Sequence, residues 1–449
     1  MTLPIIVDTE RFSQAANLFL IGSADEVPSA AREAAKLQQF QGELDQLCYV
    51  DGGILVGAGD GSDPLALGTA AMRLPEGDYR IEALPSGYTL ENAVLGFALG
   101  TYRFSRYRKS STPPVLLIDD ADLAERVNSK AHAVFLTRDL VNTPADDMGP
   151  DALEAAARDV AERAGASFSV ITGEALKEGF PLIHAVGRAA AIPPRLMDFR
   201  WSGGDRHSLT LVGKGVCFDS GGLNLKPGKG MALMKKDMGG AATTLGLAQL
   251  IMESGLPINL RVLIPAVENA VSGSAFRPGD VFKSREGQTV EISNTDGEGR
   301  LILADAIAYA AEESPDRILS LATLTGAARV ALGPDLPPIY STDEAFQKRI
   351  CEAGMDIGDP LWPMPFWDRY SDYLCSDIAD MNNVPSTPFA GSIIAAVFLK
   401  RFAGPLNFTH IDTYAWMPSA RPGRPKGGEA LTLRALYRAL ADEFSTDWQ

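Results

Sequence analysis

From residue 150 onward, short apolar runs alternate with longer stretches whose apolar residues recur at helical spacing. The runs at 167–172, 208–212, 259–265 and 317–321 read as strands, and the stretches at 151–164, 240–252 and 301–313 read as helices. Strand and helix in regular alternation predict a mostly parallel sheet covered on both faces. The first third repeats the pattern more loosely, with strands at 4–7, 17–21, 53–57 and 115–118 and helices at 29–40 and 90–107. Between these halves, 123–142 has a helical pattern without Gly or Pro and stops at Asn142-Thr143-Pro144. A last strand at 407–412 and a terminal helix at 431–440 complete the series. The fold class is therefore α/β. A smaller N-terminal α/β domain, 1–120, is joined by a long linker helix, 121–143, to a larger C-terminal α/β domain, 144–449, whose central sheet is mostly parallel and covered by helices.

Composition narrows the functional classes. The chain has 449 residues, 46% of them hydrophobic, which suits two domains with substantial cores. The longest apolar run, 393–399, is too short to span a bilayer, so no membrane partner is expected. The opening MTLPIIVDTERF lacks a basic start and an unbroken apolar core, which predicts no signal peptide. Cys48, Cys217, Cys351 and Cys375 are scattered without disulfide or metal spacing, as expected of reduced thiols in a cytoplasmic protein. A net charge of −16, from 41 basic and 57 acidic residues, argues against nucleic acid as a partner.

Two polar segments interrupt the apolar pattern where chemistry would sit. In Asn294-Thr295-Asp296-Gly297-Glu298-Gly299-Arg300-Leu301, two acids lie one residue apart before a glycine and an arginine. An extended segment would point Asp296 and Glu298 to the same side, with a helix beginning near Leu301. The second segment, 212–242, places Lys214, Asp219, Lys226 and Asp237 among glycines and apolar residues. Charges between buried elements are costly unless they pair or bind an ion. Four acids and an amine form a hard donor set suited to divalent metals, and bridging carboxylates are what hold two such ions roughly 3.5–4 Å apart. Both segments begin at the carboxyl ends of expected strands, where open α/β sheets place their sites.

Together these segments resemble the catalytic core of the leucyl (cytosol) aminopeptidases. The family's NTDAEGRL appears as NTDGEGRL, GKGxxFDSGG as residues 213–222, the aligned lysine as Lys226, and DMGGAA as residues 237–242. RDLVNTP (138–144) and ATLTGA (322–327) extend the resemblance, which covers the chain from about Lys130 onward and is weak in the N-terminal third. It implies an enzyme that removes the N-terminal residue, preferentially leucine or another apolar residue, from peptides with a free N-terminus, using a hydroxide bridged by two metals. Asp219 and Glu298 would bridge both ions, Asp296 would hold the more exchangeable one, and Asp237 and the Lys214 amine would complete the tighter site. Lys226 would stabilise the oxyanion, Arg300 would hold a bicarbonate, and Met234, Thr323 and Gly326 would line the pocket for the first side chain. Two ions per subunit, Zn²⁺ or Mn²⁺ with Mg²⁺ also admitted, and a homohexamer follow from the same resemblance.

Other readings fare worse. Asp219-Ser220-Gly221-Gly222 echoes a serine-protease nucleophile, but His132, His184, His207 and His410 offer no triad context. GxxxxGKS/T, GxGxxG and HExxH are all missing. His410, in the expected strand 407–412, reads as a packed residue near the site. A Cys-Gly dipeptidase and a non-catalytic scaffold of the same fold are the alternatives within the resemblance. Loss of a ligand, Lys226 or Arg300 would mark the scaffold, and all are retained. Gly297 stands where the family has alanine, and the basic segment 418–428 replaces a longer loop, which bears on the pocket rim.

Overall fold

The computed structural model describes residues 3–204 and 207–444. Met1 and Thr2, which open the segment searched for a leader, and 445–449, which close the 144–449 domain, lie outside the described residues. The chain divides into two compact units. One holds Met1–Phe135, Asp356–Gly358 and Met417–Gly427; the other holds Leu136–Met355, Asp359–Trp416 and Gly428–Gln449. The division falls inside one continuous helix, Ala121–Asn142.

The first unit is built on a six-stranded sheet: β1 (Ile5–Ile6), β2 (Ala16–Ile21), β3 (Leu47–Val50), β4 (Gly53–Gly57), β5 (Asp78–Ala83) and β6 (Val115–Leu117). Its order is β1-β6-β5-β2-β4-β3, parallel throughout except for the β3–β4 pair. The helix expected over 90–107 spans only Leu90–Gly100. Thr89 caps its start, and Arg103 folds back to donate to the carbonyls of Gly100 and Ala71, closing the C-terminal end. The helix expected over 29–40 is a 3-10 turn, Ser29–Ala31, followed by a short α-helix, Arg32–Leu37.

The basic segment near the C-terminus packs within this first unit. Gly423 has φ +67°, and a Cβ on Gly68 would lie 2.2 Å from its nitrogen, so two glycines permit the close approach. Arg424 pairs with Asp63 at 3.1 Å and donates to the Gly358 carbonyl.

The second unit carries a nine-stranded sheet. Its strands are β7 (Ser167–Ile171), β8 (Arg195–Ser202), β9 (Ser208–Gly213), β10 (Gly215–Asp219) and β11 (Asn259–Asn269). After a small separate sheet of β12 (Val281–Lys283), β13 (Thr289–Glu291) and β17 (Met381–Asn382), it continues with β14 (Arg317–Ala322), β15 (Pro338–Ser341), β16 (Trp362–Pro363) and β18 (Phe408–Asp412). The order is β16-β15-β18-β14-β9-β11-β8-β7, with β10 also paired to β11. The central strands β18, β14, β9 and β11 are parallel; at the flanks β15 and β8 run antiparallel to them, and β7, antiparallel to β8, returns to the central direction. The parallel strands are buried almost throughout, which is why they read as continuous apolar runs. Helices Gly239–Glu253 and Glu298–Ala311, both nearly all buried, pack against this centre.

Candidate metal centre

Lys214 occupies a break between β9 and β10, two collinear strands on the same neighbour β11. Its N–H donates to Leu321 O at 3.0 Å and its carbonyl accepts from Ala241 N at 2.9 Å, so the break is held from both sides. The helix at Gly239 can come this close because its first residues lack bulk: a Cβ on Gly240 would lie 2.2 Å from Leu321 O. From the break, the Lys214 amine reaches Asp237 Oδ2 at 2.7 Å, Glu298 Oε1 at 3.0 Å and Thr323 O at 3.0 Å. Its stem crosses Gly299, where a Cβ would lie 2.4 Å from Lys214 Cε. Glycine at 299 therefore makes room for the lysine rather than for a turn.

Asp219 ends β10. Its Oδ1 accepts from Gly221 N and Asn269 Nδ2, both at 2.8 Å. The other oxygen faces Lys226 Nζ at 2.8 Å, and that ammonium also meets Asp296 Oδ1 at 2.5 Å. Asp237 lies on a 3-10 turn, Met234–Met238, and accepts at Oδ1 from Thr323 Oγ1 at 2.7 Å.

The 294–301 segment is not extended, as its alternation had suggested. Asn294 caps a 3-10 turn, Thr295–Gly297, by accepting from Asp296 N, and Glu298 is already the first residue of helix Glu298–Ala311. The carboxylates converge through this turn-to-helix passage, not through strand alternation. Nor does the segment leave a strand of the main sheet: it follows β13 of the small three-stranded sheet. A lock between the two polar segments fixes its position. Thr295 Oγ1 donates to Gly221 O at 2.6 Å, Asn224 N donates to Thr295 Oγ1 at 2.8 Å, and Thr295 N donates to Asn224 Oδ1 at 2.8 Å. Gly297 is no free hinge either, because a Cβ there would lie 2.9 Å from Asn383 Nδ2.

Asp219, Asp296 and Glu298 each offer a carboxylate oxygen within 4.8 Å of the others. Asp237 Oδ2, Asp296 Oδ1 and Glu298 Oε2 are buried without a hydrogen-bond partner, the first two having only an ammonium at ion-pair distance. Four carboxylates thus share two ammonium groups and Glu298 Oε2 has neither, an excess of buried negative charge that is expensive unless a further cation takes it. Burial first, and then the neighbouring acids, push Asp219 and Glu298 above the usual carboxylate range. Burial alone would favour a neutral Lys214, but Asp237, Glu298 and Asp219 outweigh it and hold the amine above its ordinary value. Lys226 is raised in the same way, chiefly by Asp219 against burial. The donor set and its open oxygens fit divalent ions.

These groups line a cleft of about 460 Å³. Arg300, lowered to about 10 by burial, lines it too and donates to Asn383 O at 2.6 Å. Met234, Thr323 and Gly326 line the same cleft, so the ten residues that the resemblance assigns to the site all border it. None of the residues 418–428 is among those that line the cleft. Several lining or supporting residues carried no motif. Asp412, at the end of β18, accepts from Leu324 N, Thr325 N and Thr325 Oγ1, and burial raises its carboxyl. An acid closing an apolar strand was its available signal. Asn269 and Asn383 act through hydrogen bonds between distant segments and had no local signal. Lys236 and Tyr414 also line the cleft; burial lowers the lysine to about 8. His410 is buried in β18, as expected, and burial lowers it to about 3.

Comparison with known proteins agrees with the geometry. Residues 135–437 match the family model described as "Cytosol aminopeptidase family, catalytic domain". Residues 25–118 match "M17 aminopeptidase, N-terminal domain", so the likeness extends into the third whose motifs were weak. A "Probable cytosol aminopeptidase" of Syntrophotalea carbinolica is 40% identical over 396 residues, 83% of this chain and 80% of that one. One from Chlamydia trachomatis is 42% identical over 340 residues, 72% of this chain and 68% of that one. The crystal structure of the cytosol aminopeptidase from Coxiella burnetii superposes with TM-score 0.92 at 40% identity, covering 98% of this chain and 99% of that one. The bottromycin maturation enzyme BotP, in complex with Mn, superposes with TM-score 0.87 at 29% identity, covering 98% of this chain and 100% of that one. A chain with this fold, this acidic cleft and these relatives belongs to the cytosol aminopeptidase family and is a metal-dependent aminopeptidase, a hydrolase of peptide bonds.

Proposed function

We propose that the 144–449 domain removes the N-terminal residue, leucine or another apolar residue by preference, from peptides with a free N-terminus, using two divalent ions. Asp219 and Glu298 would bridge the ions, Asp296 would hold the more exchangeable one, and Asp237 with Lys214 would complete the tighter site. The observation that carries this reading is the convergence of Asp219, Asp237, Asp296 and Glu298 on only two ammonium groups, with Glu298 Oε2 buried and unpartnered. When bound, the ions supply Lewis acidity that lowers the pKa of water toward about 7 and polarises the scissile carbonyl.

The chain's own residues do the rest. Lys214 must donate a lone pair, so it binds as the neutral amine, and adjacent dications would reverse the upward pull of the acids. Lys226 has no other acids to serve once Asp219 and Asp296 turn to a metal. Its ammonium is then free to stabilise the oxyanion at the attacked carbonyl. Arg300, held by Asn383 O, would present its remaining donors to a bicarbonate that moves the proton to the leaving amine. Met234, Thr323 and Gly326 would receive the first side chain.

Manganese or zinc is the proposed metal, with manganese supported by the BotP complex. The family resemblance suggests a homohexamer. A cytoplasmic location is supported by the naming of the relatives, and no described helix is long and apolar enough to cross a membrane. The test is hydrolysis of Leu-p-nitroanilide by chelated protein with Mn²⁺, Zn²⁺ or buffer restored, beside its N-acetylated counterpart. Metal-restored release from the free amine alone is the expected result. Equal release from the acetylated compound would refute an N-terminal amine requirement.

A further inference from the structure

We propose that the cleft carries an anion subsite, formed by Lys236 and Arg329 beside the ring of Tyr414, that takes a carboxylate of the peptide substrate. The inference rests on the aminopeptidase reading only for how a peptide enters the cleft. That carboxylate is either the side chain of an acidic N-terminal residue or the C-terminus of a dipeptide.

Lys236 is 4% exposed, yet it lines the cleft, and its ammonium makes no ion pair or hydrogen bond among the described residues. The ammonium stands over the ring of Tyr414, 4.7 Å from Nζ to the centroid. Arg329 stands over the same ring at 4.7 Å, lines the same cleft and is likewise without an ion pair among the described residues. A cation–π contact offsets less than the cost of burying an unpaired ammonium, and two like charges on one ring repel. The acids nearest Lys236 are already engaged. Asp237 faces Lys214 and accepts from Thr323, and Asp412 accepts from Leu324 N and from the N–H and hydroxyl of Thr325. An incoming anion is what this wall lacks. A carboxylate suits it, because guanidinium and ammonium both donate strong charge-assisted hydrogen bonds to one. The phenol of Tyr414, which makes no hydrogen bond among the described residues, supplies a further donor. The wall lies in the cleft that Met234, Thr323 and Gly326 also line, so a bound peptide passes it.

The test compares two matched pairs on manganese-loaded enzyme: Glu- against Gln-p-nitroanilide, and Leu-Ala against Leu-Ala-amide. Wild type, Arg329→Gln and Lys236→Met are assayed, with Leu-p-nitroanilide as the reference in each. The expected result is a preference for the carboxylate member of at least one pair by about tenfold in kcat/KM, falling to about one in both variants. The first pair identifies a side-chain carboxylate and the second a C-terminal one. Should Lys236→Met fail to fold by circular dichroism, the exposed Arg329→Gln decides alone. Ratios near one in wild type, or ratios kept in Arg329→Gln, would overturn the subsite while Leu-p-nitroanilide turnover upholds the aminopeptidase. If no compound is cleaved, the same four become ligands for calorimetric titration. Tighter binding of a carboxylate member that depends on Arg329 then upholds the subsite while the aminopeptidase reading falls, and equal binding overturns both.

Discussion

The floor and one wall of the cleft treat charge in opposite ways. On the floor, each ammonium sits between two carboxylates: Lys214 between Asp237 and Glu298, Lys226 between Asp219 and Asp296. Three carboxylate oxygens there still lack a hydrogen bond. On the wall, Lys236 and Arg329 share only an aromatic ring. The floor has an excess of anionic donors and so calls for cations; the wall has an excess of cations and calls for an anion. Because an unmatched buried charge is costly, the sign of the local surplus tells what each surface is built to hold.

The largest expected effect tests the floor. Glu298→Ala should abolish turnover and lower metal content, measured by elemental analysis, since the ligand proposed to bridge the ions would serve both. Full activity in that variant would end the two-metal model. Next comes Lys226→Ala, for which turnover should drop about a hundredfold or more while metal content stays near normal, as for loss of one oxyanion donor. Loss of metal instead would make Lys226 part of the ion cradle and blur the line between floor charges that bind and those that react.

A smaller effect is expected where the floor is only supported. Asn269 Nδ2 holds Asp219 Oδ1 at 2.8 Å and Thr295 O at 3.1 Å, tying both polar segments to one side chain. Asn269→Ala should weaken metal affinity by about 10–100-fold, read by competition with a chromogenic chelator, with turnover restored at high metal. Unchanged affinity would mean that the two segments hold each other without it.

The smallest effect on activity is expected away from the cleft. Asp305 is fully buried and accepts from Leu182 N, Ile183 N and Arg285 N, with no metal ligand among its partners. Burial raises its carboxyl to about 7, against the pull of those donors. A carboxyl raised in the folded state binds more protons there than in the unfolded chain between about pH 4 and 7, so stability from this group falls as pH rises through that window. Asp305→Asn should flatten that part of the stability–pH curve in urea titrations while leaving the carboxylate preference of the wall unmoved. An unaltered slope would show that the backbone donors already match the charge, and that burial surplus is peculiar to the cleft.

Much of this was legible before the fold. Strands 53–57 and 208–212 and the helix ending at Asn142 stand where their apolar spacing placed them, because packing into a parallel sheet demands continuous apolar runs. The seven polar residues Lys214, Asp219, Lys226, Asp237, Asp296, Glu298 and Arg300 announced themselves as charges inside apolar surroundings. The geometry of 294–301 was misread, since an acid pair one residue apart suits an extended chain as well as a helix start, and only Asn294's cap distinguishes them. The helix expected to 107 stopped at Gly100 because Arg103 reaches back to its last carbonyl, a contact no periodicity reports.

The sequence by itself determined the class of fold and the donor set, since those depend on residue types and spacings within single segments, and the resemblance of those segments to a known family implied the reaction class. Tertiary structure alone decided how the donors meet: Gly299 making way for Lys214, Asn269 and Thr295 joining two segments, and Asn383 holding Arg300. It also decided that Lys236, Arg329 and Tyr414, separated by up to 178 positions, stand at one wall. Contacts of that kind depend on which strands neighbour each other in the sheet, and strand order is written in no local stretch of the chain.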